Sequence, residues 1–345
     1  MHTILYLDQS YLSNMAKARI GYLKDRVQSE FWLSLFGELK TAVLSNRIAC
    51  PELDFQTTEA MYDDRVEEAI KGVIDELSWG LRFRPWQSVL ESQIECAAKK
   101  FRGTESEEKE PWAIAFESNP WAPVESRMQD IAGVLGRISI HLSLPEEVTQ
   151  NGRQRKVDFA DTAQEQIVRH IDNRPSDLPE ALIQSKKAFI DGFMLTRAKR
   201  SIAQQVEDGS DLSKLRALQR AMELKDLWSR LHQIGINTQD NAIVMSFLNS
   251  GELLNSPFCD IFGSIYAVLA THYPKRRMQP GDFYDVPILA TVLPYCDVVT
   301  ADKFMKNILV KILRFNSRYN ARIFSPDKAD LSAFRDLIEG LLDNT

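Results

Sequence analysis

The sequence predicts an α/β protein: a short parallel sheet with helices packed on it, interrupted by a large all-helical insertion. Three observations carry this. Short apolar runs alternate with helical spacing near both ends of the chain, at Ile4 to Leu7, Arg47 to Cys50, Cys296 to Thr300 and Ala321 to Phe324. Strands that alternate with helices imply parallel pairing, because a helix supplies the crossover. Between about residues 60 and 250 the apolar residues recur three and four apart almost throughout, and strand signals are nearly lacking. The expected organisation is discontinuous, with 1–60 and 250–345 forming the α/β core and 61–249 a helical insertion domain.

Each element has its own signal. Ile4-Leu5-Tyr6-Leu7 reads as a buried strand that stops at Asp8. Helical spacing follows from about Tyr11 to Ala42, broken near Ile20-Gly21. Arg47-Ile48-Ala49-Cys50 is a second strand, stopped by Pro51, which has no N–H to give a ladder. From Thr57 the spacing is helical again, with Val66, Ile70, Val73, Ile74 and Leu77 on one side. In the middle, Gln87 to Lys99, Met128 to Ile140, Asp158 to Ile171, Leu178 to Phe193 and Leu212 to Ile234 read as helices. Beyond Asn255-Ser256-Pro257 a helix runs to about His272, and Asp282 to Leu293 is another. Cys296-Asp297-Val298-Val299-Thr300 follows as a buried strand, then Lys303 to Phe315 as an amphipathic helix with a basic face. Ala321 to Phe324 is the last strand and Leu331 to Leu342 the closing helix.

Composition narrows the class. With 44% apolar and 26% charged residues among 345, the chain has the make-up of a globular domain. No apolar run approaches the length of a membrane span, and the N-terminus lacks the basic and apolar regions of a signal peptide. A cytoplasmic protein without membrane partners is expected. Cys50, Cys96, Cys259 and Cys296 form no Cys-x-x-Cys pair, and the five histidines never fall at ligand spacing, which argues against a zinc site. The cysteines are expected to be reduced. Net charge is −6, yet Lys303 to Pro326 holds Lys303, Lys306, Lys311, Arg314, Arg318 and Arg322 and no acid. Lys275, Arg276 and Arg277 form a second basic cluster.

Ligands of open parallel sheets bind beyond the carboxyl ends of the strands, where strand order reverses. Asp8 directly follows the first strand, and Asp302 lies two residues beyond Thr300. Asp285 starts the helix leading into that same strand, and Glu59 lies in the helix after the second strand. Phosphodiester cleavage without a histidine or lysine nucleophile needs a metal ion to activate water and neutralise growing charge. Mg²⁺ and Mn²⁺ prefer oxygen ligands, so several carboxylates must converge. Against this stands the ordinary role of a strand-terminal Asp as a turn residue or helix N-cap.

At these residues the sequence resembles the PIN-like nuclease family. Ile4-Leu5-Tyr6-Leu7-Asp8-Gln9-Ser10 is similar to the family's opening of an apolar strand, a terminal Asp and a small polar residue two positions on. Gly281-Asp282-Phe283-Tyr284-Asp285 with Leu293-Pro294-Tyr295-Cys296-Asp297-Val298-Val299-Thr300-Ala301-Asp302 resembles its acidic helix, strand and Thr-x-Asp ending, in the form of a prokaryotic branch. The resemblance covers about residues 1–60 and 250–345. It implies a three-layer PIN-like core, metal ligands at Asp8, Glu59, Asp285 and Asp302, and support from Ser10 and Thr300. Asp282 is a further candidate ligand. It also implies Mg²⁺ or Mn²⁺ as cofactor and hydrolysis of single-stranded RNA, with tRNA and mRNA as candidate substrates.

Other features add to this picture. Lys303, Lys306, Lys311 and Arg314 abut Asp302 and are candidates for holding RNA phosphates, with a solvated helix face as the plainer reading. Tyr295, Phe304, Phe315 and Tyr319 are candidates for base stacking, though aromatics at helical spacing are more often core. Arg153, Arg155 and Lys156 follow Asn151-Gly152 in a polar loop. The insertion is a candidate surface for a regulatory protein partner or a homodimer. A nuclease core with a private helical domain suits a toxin or anti-phage defence effector. Two rivals remain: a PIN-like fold kept for binding RNA or protein without cleavage, and a haloacid-dehalogenase-type phosphatase with Asp8 as nucleophile. The second expects an Asp two residues after the first, where this chain has Ser10.

Overall fold

The computed structural model of the chain describes residues 3–53, 56, 66–104, 110–124, 126, 177–196, 225–276, 279 and 281–343. Four short strands, β1 (Thr3–Tyr6), β2 (Ile48–Ala49), β3 (Val298–Thr300) and β4 (Arg322–Phe324), form one parallel sheet in the order β2-β1-β3-β4. β1 pairs with β3 through Leu5 opposite Val298 and Tyr6 opposite Val299. The chain moves from β1 to β2 on one side, then crosses back so that β3 and β4 lie on the other. Strand order therefore reverses between β1 and β3.

Period-two alternation explains why the sheet is covered on both faces. Ile4 and Tyr6 of β1, Ala49 of β2, Val299 of β3 and Ile323 of β4 enter one apolar core. Leu5, Ile48 and Val298 enter the other, with Phe324 packed against it. Full burial of such side chains is worth about 1.5–3 kcal/mol each.

The helices that flank the sheet and its strand ends are α1 (Gln9–Arg19), α2 (Arg26–Leu44), α3 (Glu67–Ser78), α4 (Trp86–Arg102), α5 (Leu178–Asp191), α6 (Asn241–Leu248), α7 (Pro257–His272), α8 (Asp282–Val292), α9 (Lys303–Lys306) and α10 (Lys328–Asp343), with shorter helical segments at Pro111–Ala115, Gly251–Leu254 and Phe315–Arg318. α1, α2, α3 and α10 supply one core, and α4 to α8 supply the other. The described parts of 61–249 thus share both cores with the sheet: Val73 and Ile74 join the first set, and Leu90, Ile94 and Ile190 the second. The break expected near Ile20-Gly21 falls there, with Gly21 at φ +69°, a conformation that favours glycine. The stretches Met128 to Ile140 and Asp158 to Ile171, and the loop with Arg153, Arg155 and Lys156, lie outside the described residues.

One expected element differs. Lys303 to Phe315 is not a single helix. α9 stops at Lys306, a π-helical turn covers Asn307–Ile312, and Arg314 turns left-handed at φ 55° before a short helix at Phe315–Arg318. Ile308, Leu309, Val310, Ile312 and Leu313 crowd too many sides for one α-helical stripe. The wider winding and the reset at Arg314 let Ile308, Leu309 and Phe315 all enter the core.

Among the described residues no single helix is long and apolar enough to cross a membrane, though Asn241–Leu254 and Pro257–His272, bent 83° apart, would pass by length and composition together. The four cysteines are free thiols.

Candidate active site

The two strands at the reversal point end in acids. β1 runs through Leu7 to Asp8, whose backbone is extended (φ −68°, ψ 156°) and which caps α1. Its Oδ2 accepts from the Ser10 N–H at 3.1 Å and from the Ser10 hydroxyl at 2.7 Å. β3 runs through Ala301 to Asp302, also extended (φ −62°, ψ 164°), which caps α9 by accepting the Met305 N–H at 2.6 Å. The helix-cap reading is therefore correct for both residues, but it uses only one face of each carboxylate.

Thr300 ties the two strand ends together. Its hydroxyl accepts the Asp8 N–H at 2.6 Å and donates to the Tyr6 carbonyl at 3.3 Å. Asp285, in the first turn of α8, comes to the same place from a third chain segment. Asp8, Asp285 and Asp302 line one pocket with Tyr6, Ile288, Leu289, Thr300, Ala301 and Met305. The space within is about 10 Å³, room for about one water-sized species.

Electrostatics inside the pocket are unfavourable for bare carboxylates. Burial pushes the Asp8 carboxyl above its ordinary value, the Ser10 hydrogen bonds pull it down in part, and the negative charge of Asp302 pushes it up again. A small hard cation suits this donor set in type and charge, since all three side chains offer anionic oxygen. The ligand shell is not closed: among the described residues no group of three His, Cys, Asp or Glu side chains stands in metal-holding arrangement. The fourth expected ligand, Glu59, lies outside the described residues. Gln56, just before that segment, donates its side-chain N–H to the Leu7 carbonyl at 2.5 Å.

Asp282 is placed elsewhere. It is 3% exposed, takes both terminal nitrogens of Arg276 at 2.5 and 2.9 Å and the Gln279 N–H at 2.6 Å, and does not line the pocket. Its role here is to fix Arg276, which also lies over the Phe304 ring at 4.0 Å. Sequence reading picked out Arg276 only as part of a basic cluster. An Asp six residues on and an aromatic next to Asp302 are the local signals that set it beside α9.

The basic run divides. Lys303 meets Asp327 at 3.2 Å, and Lys306 pairs with Asp330. Partial burial pushes the Asp330 carboxyl up, but hydrogen bonds from Lys306 and Ser325 outweigh it and hold it below its ordinary value. Lys311 and Arg314 are exposed, and no ion pair joins either to an acid among the described residues. Of the aromatics, Phe315 is buried, Tyr319 bonds Asp260 at 2.8 Å and Tyr295 accepts from Gln93 at 2.8 Å. Phe304 is occupied by Arg276 and by an edge contact with Tyr273.

Comparison with family models, with curated proteins and with solved structures finds no match to this chain.

Proposed function

We propose that the chain is a divalent-metal-dependent nuclease of PIN-like architecture that hydrolyses single-stranded RNA. Asp8, Asp285 and Asp302 are the metal-binding acids, Glu59 is the fourth, and Mg²⁺ or Mn²⁺ is the ion. One observation supports this most: Asp8 from near one end of the sequence and Asp285 and Asp302 from near the other line a single small pocket at the reversal point of a parallel sheet. Bound there, the ion would activate water and offset charge growing on the phosphate. Ser10 orients the Asp8 carboxylate, and Thr300 fixes the backbone that carries it. Lys311 and Arg314 offer exposed positive charge on the segment that follows Asp302.

The test is purified protein with labelled single-stranded RNA and DNA in Mn²⁺, Mg²⁺ or chelator. RNA is shortened only with metal, and Asp8→Asn and Asp285→Asn each lower the rate about a hundredfold or more. RNA that binds but stays intact under every metal condition overturns the reading in favour of a binding module.

A further inference from the structure

Arg276 lies in the connection between α7 and α8 and touches both of the segments that carry Asp285 and Asp302. On one side its terminal nitrogens grip the two oxygens of Asp282, at 2.5 and 2.9 Å, in the first turn of α8. On the other its guanidinium carbon stands 4.0 Å from the ring centre of Phe304, in α9. Asp285 follows Asp282 by three residues, close to one helical turn, and Phe304 follows Asp302 by two. A single side chain therefore bridges the element that presents one pocket acid and the element that begins at another.

The surroundings hold this bridge still. Asp282 is buried, and it exchanges backbone contacts with Gln279: its carboxylate accepts the Gln279 N–H at 2.6 Å, and its own N–H donates to the Gln279 carbonyl at 3.0 Å. In the same turn the Gly281 carbonyl accepts the Asp285 N–H at 2.9 Å, so the backbone that presents Asp285 belongs to the turn that Arg276 grips. The Arg276 N–H donates to the Tyr273 carbonyl at 3.0 Å. Tyr273 sets its ring edge against Phe304, centres 5.0 Å apart, and its hydroxyl accepts from Asn307 at 3.1 Å. Phe304 is thus gripped by two side chains of the α7–α8 connection. The next residue, Met305, gives its N–H to the Asp302 carboxylate, so a shift of the ring carries the acid with it.

Arginine suits this bridge and lysine does not. The flat guanidinium meets a carboxylate with two parallel bonds while its face lies on an aromatic ring, whereas an ammonium is a point charge that cannot do both. Asp282 neutralises Arg276, and neither residue lines the acidic pocket, so the pair acts there through geometry more than through its field. Geometry is what a small cation demands. Mg²⁺ holds oxygen ligands at about 2.0–2.1 Å in a near-ideal octahedron and tolerates misplaced ones poorly.

We propose that Arg276 is a positioning residue: by joining Asp282 to Phe304 it sets the spacing of Asp285 and Asp302 for a divalent cation. The inference rests on the metal-dependent reading of the acidic pocket and adds a residue that acts from behind the ligands.

The test titrates Mn²⁺ into the whole protein and follows the free ion by its EPR signal, reading the part of the binding that Asp8→Asn removes. Arg276→Lys keeps a cation beside the buried Asp282 but loses the fork and the stack. Phe304→Leu keeps Arg276 on Asp282 and removes only the ring. Each weakens Mn²⁺ binding by about tenfold or more, the loss typical of partners that orient ligands. In RNA cleavage at limiting Mn²⁺ each lowers kcat and leaves KM for RNA unchanged, and added Mn²⁺ restores most of the rate. Arg230→Lys alters a comparable ion pair, with Glu91 and Glu95 of α4, none of which lines the pocket, and it changes neither quantity. Wild-type protein without such Mn²⁺ binding overturns the metal reading of the pocket, and this inference with it. Wild type that binds Mn²⁺ while either folded variant binds it equally tightly overturns the inference alone. So does an equal loss in Arg230→Lys, or a raised KM with unchanged Mn²⁺ affinity in Arg276→Lys, which would make Arg276 a phosphate contact.

Discussion

The backbone N–H of Asp8 donates to the Thr300 hydroxyl at 2.6 Å, joining residues 292 positions apart in the chain. The same hydroxyl donates to the Tyr6 carbonyl, so one side chain fixes the exit of β1 against the end of β3. Both acids that follow these strands depend on that placement.

Thr300→Val keeps the shape but leaves the Asp8 N–H without its acceptor. Thr300 is fully buried, so water cannot easily replace the bond. The expected loss is about 1–3 kcal/mol in urea unfolding, and Thr300→Ser recovers most of it. RNA cleavage falls in the valine variant beyond its loss of stability, because Asp8 shifts. Equal stability of wild type and Thr300→Val would show that the bond carries no net weight.

The raised Asp8 carboxyl sets a pH dependence. An acid raised on folding holds its proton longer in the native state than in the unfolded chain. Its contribution to stability is therefore fully present below the ordinary carboxylate value, and is lost as pH rises from there through the raised value. Asp330 is held low and works in the opposite sense, losing its contribution as pH falls. The difference in melting temperature between Asp8→Asn and wild type cancels the Asp330 part. That difference grows in favour of Asp8→Asn as pH rises from about 4. Added Mn²⁺ narrows it by stabilising wild type alone. A pH-independent difference would mean that Asp8 titrates as an ordinary surface acid.

Much of this site was legible because its parts are local. Strand-ending acids at Asp8 and Asp302, and the run Val298 to Thr300, are visible wherever apolar alternation stops. Convergence of Asp8 and Asp302 required β1 and β3 to be neighbours, and Leu5 is paired with Val298. What was not legible is non-local. Nothing in the spacing of Lys303 and Lys306 says that Asp327 and Asp330 neutralise them. Asp282 and Asp285 sit one turn apart on the same helix, yet only the second lines the pocket, because Arg276 claims the first. Helical periodicity gave α4 and α5, but not that their apolar faces would enter the same core as Ile4 and Tyr6.

Lys311 and Arg314 are exposed without an ion pair to an acid among the described residues, whereas Lys303 and Lys306 are paired. Removing both free charges in Lys311→Ala/Arg314→Ala weakens single-stranded RNA binding. It also lowers the slope of log K against log salt by about 1.4, the release of two counterions at about 0.7 each. Lys303→Ala changes the slope less, since Asp327 already offsets that charge. Fluorescence anisotropy across a salt series reads both, and an unchanged slope in the double variant would place the RNA path elsewhere.

Asp260 gives the sharpest stability prediction. It is 2% exposed and receives Lys186 at 2.5 Å, Arg318 at 2.6 Å and the Tyr319 hydroxyl at 2.8 Å. Burial and then the Asp260 charge keep the Tyr319 hydroxyl protonated well above its ordinary value. Lys186 belongs to α5 and Asp260 to α7, and these two backbones nearly touch: a Cβ on Gly263 would stand 2.9 Å from the Lys186 Cα. The lysine cannot retreat, because its side chain is only 12% exposed. Arg318 is 56% exposed and can turn to water, so its share of the loss is small. Asp260→Ala therefore costs about 3–5 kcal/mol, chiefly by stranding Lys186. Lys186→Met alone leaves Asp260 with Arg318 and Tyr319 and costs less. Asp260→Leu with Lys186→Met recovers much of the loss, because neither charge is then buried alone. A double-mutant cycle of Asp260→Leu, Lys186→Met and the two combined, by urea unfolding, measures the coupling, and losses that simply add would show that the two charges do not depend on one another.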